Sequence, residues 1–172
     1  GNSSNPLYLV HCNDVNCAGS NETKTTIDST GSVGQFSSIK LDSLGYPVIS
    51  YWDETNLDIK IVHCGNANCS AGNTIVTVDS TGDLGQYGTS LALDGAGYPV
   101  VAYTNMTGTD SLKITHCGNA NCSSGNNTQT ITAVIVAGNY GYHPSLKLDS
   151  TGYPTISFMG TDSNSLNLVH CN

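Results

Sequence analysis

The residues best suited to chemistry in this chain are a histidine and a cysteine that stand side by side. The dipeptide His-Cys begins at residues 11, 63, 116 and 170, and in the first three copies a second cysteine follows the first by five positions. Imidazole and thiolate groups bind zinc, paired thiols support redox chemistry, and oxidised pairs form disulfides. The spacing of the motif helps to distinguish these kinds of site.

The Cys-x4-Cys spacing favours local disulfides over a metal or redox site. A zinc site, the first alternative, would need two such pairs from repeats about 53 residues apart to meet. His116 and Cys117 would point to opposite faces of an extended strand, so one metal ion would not readily take both. A redox dithiol, the second alternative, typically uses Cys-x-x-Cys at the start of a helix. The predicted disulfides are Cys12–Cys17, Cys64–Cys69 and Cys117–Cys122.

The sequence offers no residue set that is typical of a hydrolase. The Gly-x-Ser-x-Gly motif around many nucleophilic serines does not occur. Glu22 and Glu54 are the only glutamates and neither recurs, which argues against paired glycosidase carboxylates. The repeated histidines share a strand face with leucine or isoleucine, so we expect them to pack between sheets and to bond a neighbouring strand. We predict no catalytic residue, no cofactor and no enzyme activity.

Composition and charge disfavour several classes of partner. The chain has five lysines and no arginine against 13 acidic residues, which gives a net charge of −8. Nucleic-acid binding needs several cations to neutralise phosphates, and an anionic membrane surface needs them too. No apolar run approaches the roughly 20 residues of a membrane-spanning helix. Seven cysteines in a chain of such low charge favour an oxidising, extracellular compartment.

Six Asn-x-Ser/Thr sequons are candidates for N-linked glycans in that compartment. A chain so rich in asparagine, serine and threonine produces several sequons by chance, so their number alone is weak evidence. The candidate sites are Asn2, Asn21, Asn68, Asn105, Asn121 and Asn126.

Several landmarks recur with a period of about 53 residues, which indicates an internal repeat. The His-Cys dipeptides lie 52, 53 and 54 residues apart, and a Gly-Tyr-Pro turn recurs once per period. Each period contains four short segments rich in β-branched or aromatic residues, and none has a helical period. In the turns, Asp42, Asp94 and Asp149 are expected to accept backbone hydrogen bonds, with calcium binding as the alternative.

The segments GQFSSIKLDSLGYPVISY (34–51) and LKITHCGNANCSSG (112–125) resemble a family of secreted, bacterial-type β-propeller repeats. In that family a Leu-Asp-x-x-Gly-x-Pro hairpin is followed by a Leu-Lys-x-x-His-Cys-x4-Cys strand and loop. The resemblance covers essentially the whole chain. It implies a propeller-type fold and no defined activity.

The predicted fold class is all-β, with tandem four-stranded antiparallel blades of the β-propeller type in one array over residues 1–172. The repeats are placed at about 7–58, 59–111 and 112–165, followed by a partial strand at 166–172. Propellers typically have four to eight blades, so about three repeats do not close a ring alone. The segment LNLVHCN at 166–172 closely matches LYLVHCN at 7–13, and Cys171 resembles half of a fourth cysteine pair. We therefore expect either a piece of a longer array or a subunit that shares strands with a neighbour.

These observations predict an extracellular structural or adhesive protein that assembles with copies of itself, as a surface or filament subunit. The alternative is a lectin-like propeller that binds glycans. Tyrosine offers an apolar face and a polar tip, and it recurs in the hairpin turns. The candidate sugar-stacking residues are Tyr46, Tyr98 and Tyr153.

Overall fold

A computed structural model of the chain describes residues 5–108, 111–131, 141–160 and 165–172. The described residues form β-strands joined by turns, and these parts of the chain contain no helix long and apolar enough to cross a membrane. The strands are β1 (Leu7–His11), β2 (Thr23–Asp28), β3 (Val33–Leu41), β4 (Pro47–Asp53), β5 (Asp58–His63), β6 (Thr74–Asp79), β7 (Leu84–Leu93), β8 (Pro99–Asn105), β9 (Ser111–His116), β10 (Asn127–Thr130), β11 (Tyr142–Leu148), β12 (Pro154–Gly160) and β13 (Ser165–His170).

The strands form four antiparallel sheets in which neighbours along the chain are neighbours in the sheet. The first sheet is β1-β2, the second is β3-β4-β5-β6, the third is β7-β8-β9-β10 and the fourth is β11-β12-β13. The predicted all-β class and the four-stranded antiparallel sheet are confirmed. The predicted repeats begin at the strand that lies third in a complete sheet, so each repeat spans the end of one sheet and the start of the next.

A tight turn joins the first two strands of each later sheet. The carboxylate of Asp42 accepts hydrogen bonds from the backbone N–H groups of Leu44 and Tyr46, both at 2.8 Å, and Gly45 has a φ of 78°. Asp94 and Asp149 accept equivalent backbone bonds in their own turns. The predicted structural role of these aspartates is therefore confirmed.

The sheets stack face to face, so a strand in the middle of the stack buries both of its faces. In β5, Ile59 and Ile61 belong to an apolar cluster shared with the third sheet. Val62 and Cys64 belong to a cluster shared with the first sheet. A further cluster joins the third sheet to the fourth. Because side chains alternate along a strand, one strand contributes to two cores.

Candidate functional site

The three predicted cysteine pairs form disulfides within loops that follow β1, β5 and β9. Their Cα–Cα distances are 5.0, 4.8 and 4.8 Å in chain order. The second cysteine of each loop has a left-handed backbone, with φ between 49° and 56°. No disulfide partner for Cys171 is present among the described residues.

Asparagine side chains build the inside of the second and third cysteine loops, and Asp14 takes the equivalent place in the first. The amide oxygen of Asn66 accepts hydrogen bonds from the backbone N–H groups of Asn68 and Ser70, at 3.1 Å each. Asn73 closes the loop, because its amide donates to the Cys69 carbonyl at 2.7 Å and accepts from the backbone N–H of Gly65 at 3.2 Å. Asn119 and Asn126 make the same bonds in the third sheet.

The predicted glycan sites differ in how far their side-chain amides are already engaged. Asn126 donates to the Cys122 carbonyl at 2.8 Å, and Asn105 donates to the hydroxyl of Ser111 at 3.2 Å. Asn21 is exposed and its backbone carbonyl accepts a bond from Asn13. The amides of Asn68 and Asn121 contact histidines, as described next, and Asn2 lies outside the described residues.

Each histidine of a His-Cys dipeptide lies at the rim of its sheet and contacts a turn, a loop or both. Nε2–H of His63 donates to the Asp42 carboxylate of the same sheet at 2.9 Å. Nδ1 of the same ring lies 2.8 Å from the amide oxygen of Asn121, which belongs to the cysteine loop of the third sheet. Burial would raise the pKa of Asp42, but the bond from His63 and two backbone N–H donors outweigh it and hold that pKa below its usual value.

The other three His-Cys histidines each make one of the two contacts that His63 makes. His116 bonds Asp94 at 2.8 Å, and His170 bonds Asp149 at 2.9 Å. At the first interface, His11 contacts the amide oxygen of Asn68. The predicted strand face of the histidines is correct, but the expected partner is not. The rings bond turn and loop side chains, because each histidine is the last residue of its strand and its ring reaches the adjacent turn or loop.

Replacing His63 by alanine should destabilise the protein by about 1–3 kcal/mol, since it removes two side-chain bonds between ordered partners. The side chain of His63 is only 15% exposed. His116→Ala is the matched control, because that side chain is 53% exposed and bonds only Asp94 among the described residues. Urea unfolding of dilute protein measures both free energies of unfolding. Equal losses in the two variants would contradict the proposed contribution of Asn121.

The opposite end of the first two interfaces carries a buried ionic cluster that sequence reasoning missed. Tyr51 donates its hydroxyl to Asp28 of the first sheet at 2.8 Å. Lys60 lies 2.7 Å from Asp53 of its own sheet and 3.7 Å from Asp28. Because Asp28 is in the first sheet and the lysine is in the second, the cluster bridges the two sheets.

The third sheet repeats the ionic cluster with one change. Tyr103 donates to Asp79 of the second sheet at 2.7 Å, and Lys113 contacts the same carboxylate. The neutral Asn105 stands where the second sheet has Asp53. Burial would raise the pKa of Asp79, but the bonds from Lys113 and Tyr103 hold it below its usual value. The signal in the sequence was a lysine at the same position of two repeats.

A groove of roughly 590 Å³ lies between the third sheet and the last strand of the fourth. Val100, Ile114 and Ile131 line it on the third sheet, His116 stands at its rim, and Tyr153 lies on the opposite wall. The groove is thus apolar at its base and polar at its edge.

The corresponding surface of the second sheet is covered. Val48, Ile61 and Val78 occupy the same sheet positions there, and they pack against the disulfide loop of the third sheet through Cys117 and Cys122. The groove on the third sheet therefore corresponds to the place where a disulfide loop packs on the second sheet. The described part of the fourth sheet places no such loop there.

The first sheet exposes the face that later sheets bury. Tyr8 and Val10 are 45% and 55% exposed, and Cys17 is also exposed. Val62, at the position of Val10, is fully buried, and Cys69, at the position of Cys17, is 1% exposed. The back of the first sheet thus has the residues of an interface with nothing packed on it in the described structure.

The three candidate sugar-stacking tyrosines do not share one environment. Tyr46 and Tyr98 are half-buried in their turns, whereas Tyr153 is 50% exposed and lines the groove. The described residues contain no group of three or more His, Cys, Asp or Glu side chains placed to hold a metal ion.

The sequence matches no protein-family model and no curated protein. The three disulfides fit an oxidising, extracellular environment.

Proposed function

We propose that this chain is an extracellular structural or adhesive protein built from β-propeller-type blades, whose copies join head to tail. The observation that carries the proposal is a pair of complementary uncovered surfaces. One is the groove on the third sheet, which has the residues that receive a disulfide loop elsewhere in the chain. The other is the exposed back of the first sheet, which carries a disulfide loop.

Joining copies in this way allows two kinds of assembly. Two copies would supply about six blades, which is within the four to eight of closed propellers. A joint that does not close on itself would give a filament instead. Both products would present a surface of hydroxyl and amide groups with few cations, which suits a scaffold outside the cell.

Sedimentation of the oxidised protein tests the proposal. We expect masses that are multiples of the chain's 17.9 kDa. Val10→Glu should shift the protein to the monomer, because it places a charge on the exposed back of the first sheet. Leu44→Glu is the matched control, since Leu44 is 72% exposed in a turn away from both surfaces. A monomer at every concentration, or equal effects of the two variants, would refute head-to-tail joining.

Carbohydrate binding is a second candidate, supported by the position of Tyr153 in the groove. Its half-exposed ring faces a space that is also lined by the amide side chains of Asn127 and Gln129, and aromatic faces with nearby amides suit sugar rings. Titration with a panel of saccharides, followed by NMR, would detect binding. Tyr153→Ala should abolish it and Tyr46→Ala should not. Unchanged spectra for the whole panel would dismiss this candidate.

A further inference from the structure

We propose that the groove receives the Cys12–Cys17 loop of a second copy, and that the β1-β2 hairpin of that copy takes the place of β13. This inference rests on the proposed function, and it names the strands and side chains that form the joint. The occupant is a second copy because this chain itself carries a hairpin of matching sequence with an uncovered face.

The two strands to be exchanged are nearly identical. Residues 7–13 and 166–172 differ only at Tyr8 and Asn167. In the fourth sheet, β13 pairs with β12 from Gly160↔Ser165 to Thr155↔His170. An incoming β1 with His11 at the place of His170 would restore this ladder from Met159↔Leu166 to Thr155↔His170, while Pro6, at the place of Ser165, has no backbone N–H to donate. The exchange therefore replaces hydrogen bonds with bonds of the same kind.

The incoming hairpin brings what the described fourth sheet lacks. The open edge of β13 has no neighbouring strand in the described structure, whereas β1 arrives already paired with β2. The completed sheet would read β11-β12-β1-β2, which is the four-stranded order of the second and third sheets. In the completed sheet β12 has a paired strand on both sides, as β4 and β8 have in the second and third sheets.

The loop of the incoming hairpin carries an asparagine at the position from which the later loops contact a histidine. In the second and third sheets, Asn68 and Asn121 directly precede the second cysteine and contact the histidine of the sheet before. Asn16 precedes Cys17 in the same way. Nδ1 of His116 makes no hydrogen bond within the described residues. The structure therefore pairs Asn16 of the second copy with His116.

Burial on both faces of the hairpin follows from the same placement. Tyr8 and Val10, now exposed, would lie against the third sheet of the first copy. Leu7 and Leu9 would stay packed on the second sheet of their own copy. The completed sheet would then sit between two copies just as the second sheet sits between its neighbours.

Cross-linking tests this geometry directly. One chain carries His116→Cys with Cys171→Ser, and the other carries Asn16→Cys with Cys171→Ser, so each has one free thiol. The two are co-expressed with different tags in an oxidising compartment and treated with a short bismaleimide. We expect a cross-linked species of twice the 17.9 kDa chain mass that contains both tags. Either variant alone should give no such product.

A positive control and the assembly state make the result decisive. His63→Cys with Asn121→Cys and Cys171→Ser in one chain should become linked internally, by a disulfide or by the reagent, because Nδ1 of His63 and the amide oxygen of Asn121 lie 2.8 Å apart in the native protein. If that control reacts and the copies assemble but the mixed pair does not cross-link, the loop is elsewhere. The further inference then fails and head-to-tail joining stands. If the copies do not assemble at all, both proposals fail.

Hydrogen exchange on the unmodified assembly gives a second measurement that needs no variant. Replacement of β13 predicts fast amide exchange over residues 165–172 and slow exchange over residues 7–11. Protection of residues 165–172 in the assembly would show that β13 keeps its place, and the exchange of strands would be refuted. A saccharide that fills the groove and leaves the assembly intact would also refute it, because the loop and the sugar need the same space.

Discussion

Replacing Lys60 by methionine is expected to destabilise the protein by about 3–5 kcal/mol, the cost of leaving a buried ionic partner uncompensated. Lys60 is 13% exposed and its partner Asp53 is 0% exposed, with 2.7 Å between ammonium and carboxylate. The same ammonium group lies 3.7 Å from Asp28. Methionine keeps the volume of the stem but leaves two buried carboxylates without their cation. Chemical denaturation at pH 7 measures the loss.

Two variants separate the ionic effect from the loss of a lysine. Lys147→Met removes the same charge from an exposed position and should change stability by less than about 0.5 kcal/mol. Adding Asp53→Asn to Lys60→Met should recover part of the loss. The third sheet already has Asn105 at that position beside Lys113. If Lys60→Met were as stable as Lys147→Met, the cluster would contribute nothing to holding the sheets together.

The contribution of Asp53 to stability should change with pH in opposite directions in the native protein and in Lys60→Met. Burial would raise the pKa of Asp53, but its bonds from Lys60 and Asn56 hold that pKa below its usual value. The resulting stabilisation is present above the unfolded pKa of about 3.9 and is lost as pH falls through the lowered folded pKa. In Lys60→Met, burial without a cation raises the pKa of Asp53 instead. The deficit of the variant relative to the native protein should therefore be smaller at pH 5 than at pH 7.

Local chemistry explains why the turns and disulfides were predictable from sequence. The Asp42 turn is complete within five residues, and each disulfide closes a loop of six, so the spacing of the letters determines which groups can meet. Alternation also placed His63 on the face of Ile59 and Ile61 correctly. These features depend on neighbours along the chain and on the period of a strand.

The ionic clusters were not predictable in the same way, because their members come from different sheets. Asp28 and Lys60 are 32 residues apart in sequence, and they meet only because the second sheet packs on the first. Sequence similarity alone also suggests the wrong alignment of β10 with β6. Asn127-Thr128 resembles Asn73-Thr74, yet Asn127 pairs with His116 as Thr74 pairs with His63. Asn126, not Asn127, closes the loop as Asn73 does.

Replacing Gly85 by alanine is the second large effect that we expect, with a loss of about 2–4 kcal/mol from strain and overpacking combined. Gly85 lies in β7 with a φ of 75°, where the third sheet approaches the second. A Cβ placed there would be 2.5 Å from Cδ1 of Ile59 and 3.1 Å from Cδ1 of Trp52. Both neighbours are buried, so neither side chain can move away cheaply.

The chain supplies controls that separate the two causes of this loss. Gly97 has a similar φ of 81° but open space around it, so Gly97→Ala should show only the cost of the left-handed backbone, about 1–2 kcal/mol. Gly95→Ala has neither problem and should be nearly neutral. Thermal and urea unfolding of the three variants would rank them. If Gly85→Ala lost no more stability than Gly97→Ala, close approach of the sheets would not be what requires glycine. Gly34 and Gly141 approach Leu7 and Leu112 in the same way, so a close glycine contact of this kind occurs at all three interfaces between the described sheets.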